Sequence, residues 1–221
     1  MYPVQIAIYG AGGFAREVAW LVQECNTGAE LYEVVCFIDD DETTHGSILN
    51  GIPIMGLEEV CSLFPSARVV GGVGSPRTRQ RLMEKAAAAG LGFVESIIHP
   101  RVERSRWIQI GSGTVICAGN ILTTNIVIGQ HVQINPGCTI GHDVVIGDYT
   151  TLTPGVHISG YVHLGKRVYV GTGAVIINGT QSSPIVIGDD VVIGAGACVT
   201  KSIPEGLTVV GVPAKPIQRS D

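Results

Sequence analysis

The chain has 221 residues, with fourteen Lys and Arg against nineteen Asp and Glu, a formal net charge of −5 and thirty glycines. That balance offers no basic footprint for nucleic acid or anionic lipid, and no apolar run approaches the length of a membrane span. Six cysteines without a short paired spacing point to buried free thiols rather than a zinc motif or a redox dithiol.

Val4 to Tyr9 reads as a buried strand that runs straight into Gly10-Ala11-Gly12-Gly13 and a helix carrying Val18, Ala19, Leu21 and Val22. The run ends in glycines and a charged helix, not in a cleavage site, so the expected location is the cytoplasm. A strand, a glycine turn and a helix start bring unpaired backbone N–H groups toward an anion, although glycines can also serve only to tighten such a turn. A second strand, Val34 to Ile38, ends in Asp39-Asp40-Asp41, where doubly wound folds read a ribose or a base edge. Further elements are expected as a strand at 67–73, a helix from Pro76 to Ala89 and a strand near 93–97. Gly71 to Ser75 offers a second amide-bearing corner, and Arg77, Arg79 and Arg81 after it either meet phosphates or present a solvated helix face. Residues 1–98 thus read as a half-size Rossmann-like α/β domain able to hold one nucleotide.

The character changes near residue 98. An aliphatic residue stands at every sixth position from Ile110 to Ile176, twelve in all, many followed by glycine. A period of six predicts an all-β hexapeptide helix over 99–221, three short strands closing each triangular coil, with the glycine after each inward residue freeing the backbone at the corner. Small residues four places after most of them, Thr114, Val132, Cys138, Val144 and their successors, complete the interior. The phase breaks after Ile176 and resumes at Ile187, five residues late. The extra residues lie in a polar segment, Asn178 to Pro184, expected as a corner loop.

Chemistry on such a prism has to come from outward corners and neighbouring subunits, and a triangular prism suits threefold assembly. His142, in Ile140-Gly141-His142-Asp143, falls on a corner and suits proton acceptance near neutrality. Asp143 could fix its tautomer, or an acid from the next coil could. An ordinary surface histidine fits the position too. Zinc of the kind hexapeptide-repeat carbonic anhydrases bind is disfavoured, because His131, His142, His157 and His163 are 11, 15 and 6 residues apart and lack that class's paired spacing.

The glycine turn, the Phe37-Ile38-Asp39-Asp40 strand end, the Ile140-Gly141-His142-Asp143 hexad and the closing Val210-Gly211-Val212-Pro213-Ala214-Lys215 together resemble bacterial hexapeptide-repeat sugar acetyltransferases. These are the sialic acid O-acetyltransferase-like proteins, which include N-acetyltransferases of nucleotide-linked 4-amino-sugars. The resemblance spans nearly the whole chain. It implies a left-handed parallel β-helix, a homotrimer and acetyl-CoA as cosubstrate in the groove between prisms, with no metal. It further implies His142 as general base with Asp143 beside it, Asn135 in the active site, and the Gly160 amide on the thioester carbonyl. Thr172, Ala195 and Lys215 would meet the cofactor. Gly10, Gly12 and Gly13 would hold the phosphates of a nucleotide-linked sugar, with Asp39 and Asp40 near base and ribose and Ser75 and Arg79 completing that site. Two residues depart from the pattern: Phe14 replaces a histidine common in the glycine turn, and Thr151 stands where some relatives carry a second active-site histidine. The implied reaction is acetyl transfer to the 4-amino group of a nucleotide-linked sugar. Its rivals are O-acetylation of a sialic acid or related glycan, and a non-catalytic trimeric scaffold that senses a nucleotide.

Overall fold

The computed structural model describes residues 3–26 and 31–217, and the chain divides into two compact units, 1–100 and 101–221. In the first unit, strands β1 (Val4–Tyr9), β2 (Tyr32–Ile38), β3 (Ile48–Leu49), β4 (Ile52–Met55), β5 (Arg68–Gly71) and β6 (Gly92–Phe93) form one sheet in the order β3-β4-β2-β1-β5-β6. All pairings are parallel except the β3–β4 hairpin. Strand β1 is central because Ile6, Ala7, Ile8 and Tyr9 are wholly buried, as a continuous apolar run covered on both faces should be. Helix α1 (Gly13–Glu24) buries Ala15, Val18, Ala19, Leu21 and Val22, and α3 (Pro76–Ala88) buries Leu82, Met83 and Ala86. The hairpin and the short helix α2 (Leu57–Leu63) carry no strong periodic signal and are absent from the sequence expectation. Tyr9 pairs with both Ile38 and Gly71, so the turns leaving β1, β2 and β5 emerge side by side at the carboxyl edge.

The second unit is a parallel β-helix whose register repeats every 18 residues, as in Gln133↔Thr151↔Tyr169. Its first face holds strands such as Gln133–Ile134, Thr151–Leu152 and Tyr169–Val170. The second holds Ile121–Leu122, Thr139–Ile140, His157–Ile158 and Val175–Ile176, and the third Ile126–Ile128, Val145–Ile146 and Val162–Leu164. The hexad positions from Ile116 to Ile176 are buried to 3 % exposure or less, whereas Ile110 is half-buried at the open end. The second inward position is filled as expected. Where it is threonine, the hydroxyl is satisfied: Thr114 donates to the Gly129 carbonyl and accepts from the Val132 N–H, and Thr150 repeats this two coils further on.

The glycines that follow the hexad residues have a different cause from the one expected. Gly111, Gly129, Gly141, Gly147, Gly165 and Gly171 do not adopt positive φ. Positive φ falls two residues later, on Gly113, His131, Asp143, Tyr149, Arg167 and Gly173, and at the equivalent places of other hexads on Asn125 and Tyr161. A Cβ on Gly111 would lie 2.6 Å from the Gln130 nitrogen, and one on Gly141 would lie 2.7 Å from the Gly160 nitrogen. These glycines let one coil approach the next. Gly147→Ala, which drives a Cβ into the Gly165 backbone, should therefore cost about 2 kcal/mol or more. Gly155→Ala, at positive φ with nothing within 4 Å, should cost about 1 kcal/mol. Thermal or urea denaturation of the two variants tests the order, and an equal loss would refute the packing cause.

Candidate functional site

In the first unit, the turns at the carboxyl edge surround a cavity of about 420 Å³. Gly10, Gly12, Gly13, Asp39 and Asp40 all line it. Gly10 has φ +116°, and a Cβ there would meet the Val73 side chain at 2.8 Å, so this glycine is required by both torsion and space. Gly12 caps α1 without a side-chain hydrogen bond, and the first turn of the helix holds no acid. The amides at the helix start are therefore not answered by any side chain of the turn.

The two acids differ in how they are held. Asp40 accepts from Tyr9 Oη at 2.7 Å and from Lys85 Nζ at 2.7 Å. Partial burial opposes its ionisation, but donation from Lys85 and Tyr9 prevails and holds its carboxyl below the usual range. The Tyr9 hydroxyl is pushed well above its ordinary value by burial and by that same carboxylate. The Asp39 carboxylate accepts the Asp41 N–H at 3.0 Å, an Asx turn, and no other hydrogen bond from the described residues.

Two expected members do not line this cavity. Arg79 is 1 % exposed, and its Nη1 donates to the carbonyls of Val73 at 2.8 Å and Gly74 at 3.3 Å. Its charge supports the Gly72–Gly74 corner, with Gly71 making the room: a Cβ there would strike the Arg79 side chain at 2.8 Å. Ser75 is the N-cap of α3 and makes no side-chain cap hydrogen bond. Thr78 and Arg81 line the cavity instead, and so does Phe14. The helical phase of α3 was the available signal: Thr78, Arg81 and Leu82 stand at i, i+3 and i+4, on one stripe.

In the second unit, His142 stands on the corner after the second face. Its Nδ1 lies 2.8 Å from Asp143 Oδ2, and the ring is 53 % exposed. Sequence neighbours can meet this way because Asp143 has φ 58°, a left-handed conformation that turns the carboxylate back toward the imidazole. Hydrogen bonding from His142 holds the Asp143 carboxyl below its usual value, and Asn125, one coil earlier, adds a contact at 3.3 Å. Tyr161, one coil later, meets the ring edge-on with centroids 5.1 Å apart. Gly160 lies beside the other ring nitrogen: a Cβ there would be 2.6 Å from His142 Nε2. The loop at 178–184 leaves this same corner, with the Gly179 N–H donating to the Gly160 carbonyl.

Asn135, Thr172 and Ala195 stand on another corner, the one after the first face. The Gly196 N–H donates to the Thr172 carbonyl, and Thr172 Oγ1 contacts Thr153 Oγ1 at 3.3 Å. The Asn135 Oδ1 is buried without a partner. His142 and Asn135 thus sit at opposite ends of the strand Thr139–Ile140, and one chain does not bring them together. Lys215 lies in the closing strand paired with Thr208–Val210 and lines a cavity of about 250 Å³ with Lys201 and Pro213. Thr151 is a buried first-face strand residue, not a corner residue. Cys117 and Cys138 are buried, and burial pushes the Cys138 thiol up to about 11. Among the described residues no cluster of three or more His, Cys, Asp or Glu side chains could hold a metal ion, and no helix is long and apolar enough to cross a membrane.

Comparison with known proteins gives a consistent picture. Residues 5–86 match the PglD N-terminal domain and residues 125–160 match the bacterial transferase hexapeptide repeat. The chain is 34% identical over 96% of its length to a GDP-perosamine N-acetyltransferase of Escherichia coli O157:H7, 96% of which it covers. The acetyltransferase domain of PglB from Neisseria gonorrhoeae FA1090, solved with acetyl coenzyme A, superposes with a TM-score of 0.84 at 34% identity, covering 98% of this chain and 100% of that one. A mutant of perosamine N-acetyltransferase from Caulobacter crescentus, solved with CoA and GDP-perosamine, gives 0.86 at 30% identity, covering 97% of both chains.

Gly160→Ala should push the His142 ring away from Asp143, since the new Cβ and Nε2 cannot both keep their places. A crystal structure of the variant reads this directly, and an unmoved ring would contradict the contact.

Proposed function

The chain belongs to the bacterial hexapeptide-repeat sugar acetyltransferases, and from that membership we propose that it transfers acetyl from acetyl-CoA to the 4-amino group of a nucleotide-linked amino-deoxysugar, with His142 as general base. The observation that carries the proposal is the His142–Asp143 pair, with Nδ1 engaged by the carboxylate and Nε2 left beside Gly160. A carboxylate on Nδ1 fixes the tautomer that leaves Nε2 able to accept a proton and supports the imidazolium that results.

The steps balance without a covalent enzyme intermediate. The neutral sugar amine attacks the thioester carbonyl and forms the C–N bond while His142 Nε2 takes its proton. The Gly160 N–H donates to the oxyanion of the tetrahedral centre. Collapse breaks the C–S bond, and the proton on His142 passes to the departing thiolate. Cys36, Cys117 and Cys138 are buried, which suits a direct route.

The cosubstrate is assigned to the corner of Asn135, Thr172 and Ala195, with Lys215 toward its phosphates. The buried, unpartnered Asn135 Oδ1 fits it, because an amide N–H of the pantetheine arm supplies the donor that this acceptor lacks. Since that corner is remote from His142 within one chain, a second copy has to bring it there, and we assign the protein as a homotrimer. The exposed third-face residues Val127, Val145 and Val186 suit such packing. The nucleotide is assigned to the first unit, with phosphates at Gly10, Gly12 and Gly13 and Asp39 toward the ribose or base. The E. coli and Caulobacter relatives carry GDP-perosamine in their names or crystals, which favours an amine acceptor over a glycan hydroxyl.

His142→Ala should lower kcat by roughly 10²–10⁴ with an unchanged melting temperature; undiminished turnover of a nucleotide-linked 4-amino-sugar would dismiss the base. An acetylated product stable to hydroxylamine identifies the amide, whereas a labile one identifies the ester of the rival O-transfer. Asp143→Asn removes the carboxylate that fixes the His142 tautomer, so kcat should fall roughly tenfold or more while the KM for acetyl-CoA holds. An unchanged kcat would show that Asp143 does not act through His142.

A further inference from the structure

The cavity of the first unit is lined by glycines and two acids, yet a nucleotide's phosphates need a positive partner beyond the helix amides. Arg79 is spent on the Val73 and Gly74 carbonyls, and Lys85 is spent on Asp40. Phe14 adds no charge to the turn. Arg81 remains. It lines the same cavity as Gly12, Gly13 and Gly74, is exposed, and neither donates a hydrogen bond nor closes a salt bridge to any described residue. Its charge is felt there: without bonding to either group, it adds to the lowering of the Asp40 carboxyl and opposes, without reversing, the rise of the Tyr9 hydroxyl. Thr78, one turn earlier on α3, presents its side chain to the same wall.

Resting on the reading of this unit as the nucleotide-sugar site, we propose that Arg81 is the side chain that recognises the diphosphate of the substrate, with Thr78 beside it. One phosphate sits on the amides at the start of α1 and the other on the Arg81 guanidinium. The phosphates are thus met by the glycine turn and Arg81, while Asp39, beside an Asp40 already paired with Lys85, accepts hydrogen bonds from ribose or base. Two separate anion-binding elements grip the diphosphate that the proposed substrate carries, and they select a nucleoside diphosphate over a monophosphate. Arginine suits the role because its planar fork can grip two phosphate oxygens at once.

The test is calorimetric titration of the full-length protein and its Arg81→Gln and Arg81→Lys variants with GDP and UDP, alongside GMP, UMP and the free nucleosides, at two salt concentrations. For whichever base the protein takes, Arg81→Gln should weaken diphosphate binding roughly ten- to a hundredfold and flatten its salt dependence. The free nucleoside should bind almost unchanged, and Arg81→Lys should recover part of the loss. In turnover the KM for the nucleotide-linked sugar should rise by a similar factor while the KM for acetyl-CoA holds. Arg81 is exposed on α3, so an unaltered melting curve accompanies these changes. Diphosphate binding that is the same in Arg81→Gln as in the parent would overturn the role of Arg81 and leave the nucleotide site standing. A parent protein that binds neither GDP nor UDP would remove the nucleotide reading itself.

Discussion

The spacing between successive coils of the β-helix is the constraint on which the chemistry rests. Parallel strands must lie within about 5 Å of each other to share backbone hydrogen bonds. At Gly111, Gly129, Gly141, Gly147, Gly165 and Gly171, keeping that spacing round the corners leaves no room for a Cβ. Glycine at 141 follows from the backbone of the coil above, at Gly160. The same stacking places the His142 ring against the Gly160 backbone. No separate element has to be positioned to bring these two together.

The first unit works through how its charges are spent. Of the polar groups at its carboxyl edge, several are consumed internally: Arg79 by carbonyls, and Asp40 by Tyr9 and Lys85. A buried arginine bonded to backbone carbonyls holds a glycine corner in shape at the expense of its own availability. What is left unanswered, the amides of α1, Arg81 and Asp39, is what a ligand can use. The distinction between a structural and an available charge is a matter of which hydrogen bonds are already made.

This is also where the sequence was least informative. The hexad period made the whole second unit legible, down to the interior role of Thr114 and Val144, because a fixed period allows one register. The β1 turn and the acids after β2 were equally plain, since strand, glycine turn and acid lie close in the chain. Arg79 and Arg81 were not separable. They are two residues apart on one helix, and only the packing of α3 decides which one turns inward. The glycines after the hexad residues misled in a related way: their presence was visible, but clearance between coils and torsional freedom leave the same letter in the sequence. The β3–β4 hairpin and α2 lacked the length for a periodic signal.

Asp143 shows how a local strain becomes useful. A non-glycine residue in the left-handed region costs about 1 kcal/mol, and the β-helix asks for it at the third place after each inward residue, as at Asn125, His131, Asp143, Tyr149 and Tyr161. The fold imposes that conformation whatever residue stands there. At position 143 it folds a carboxylate back onto the preceding side chain, which extended backbone would send to the opposite face. The corner therefore supplies an adjacent acid–base pair as a by-product of closing the coil. The neighbouring corners at Asn125 and Tyr161 use the same conformation to bring an amide to Asp143 and a ring edge to His142. Three consecutive coils thus bear on one imidazole, and its position depends on the regularity of the stack more than on any single contact.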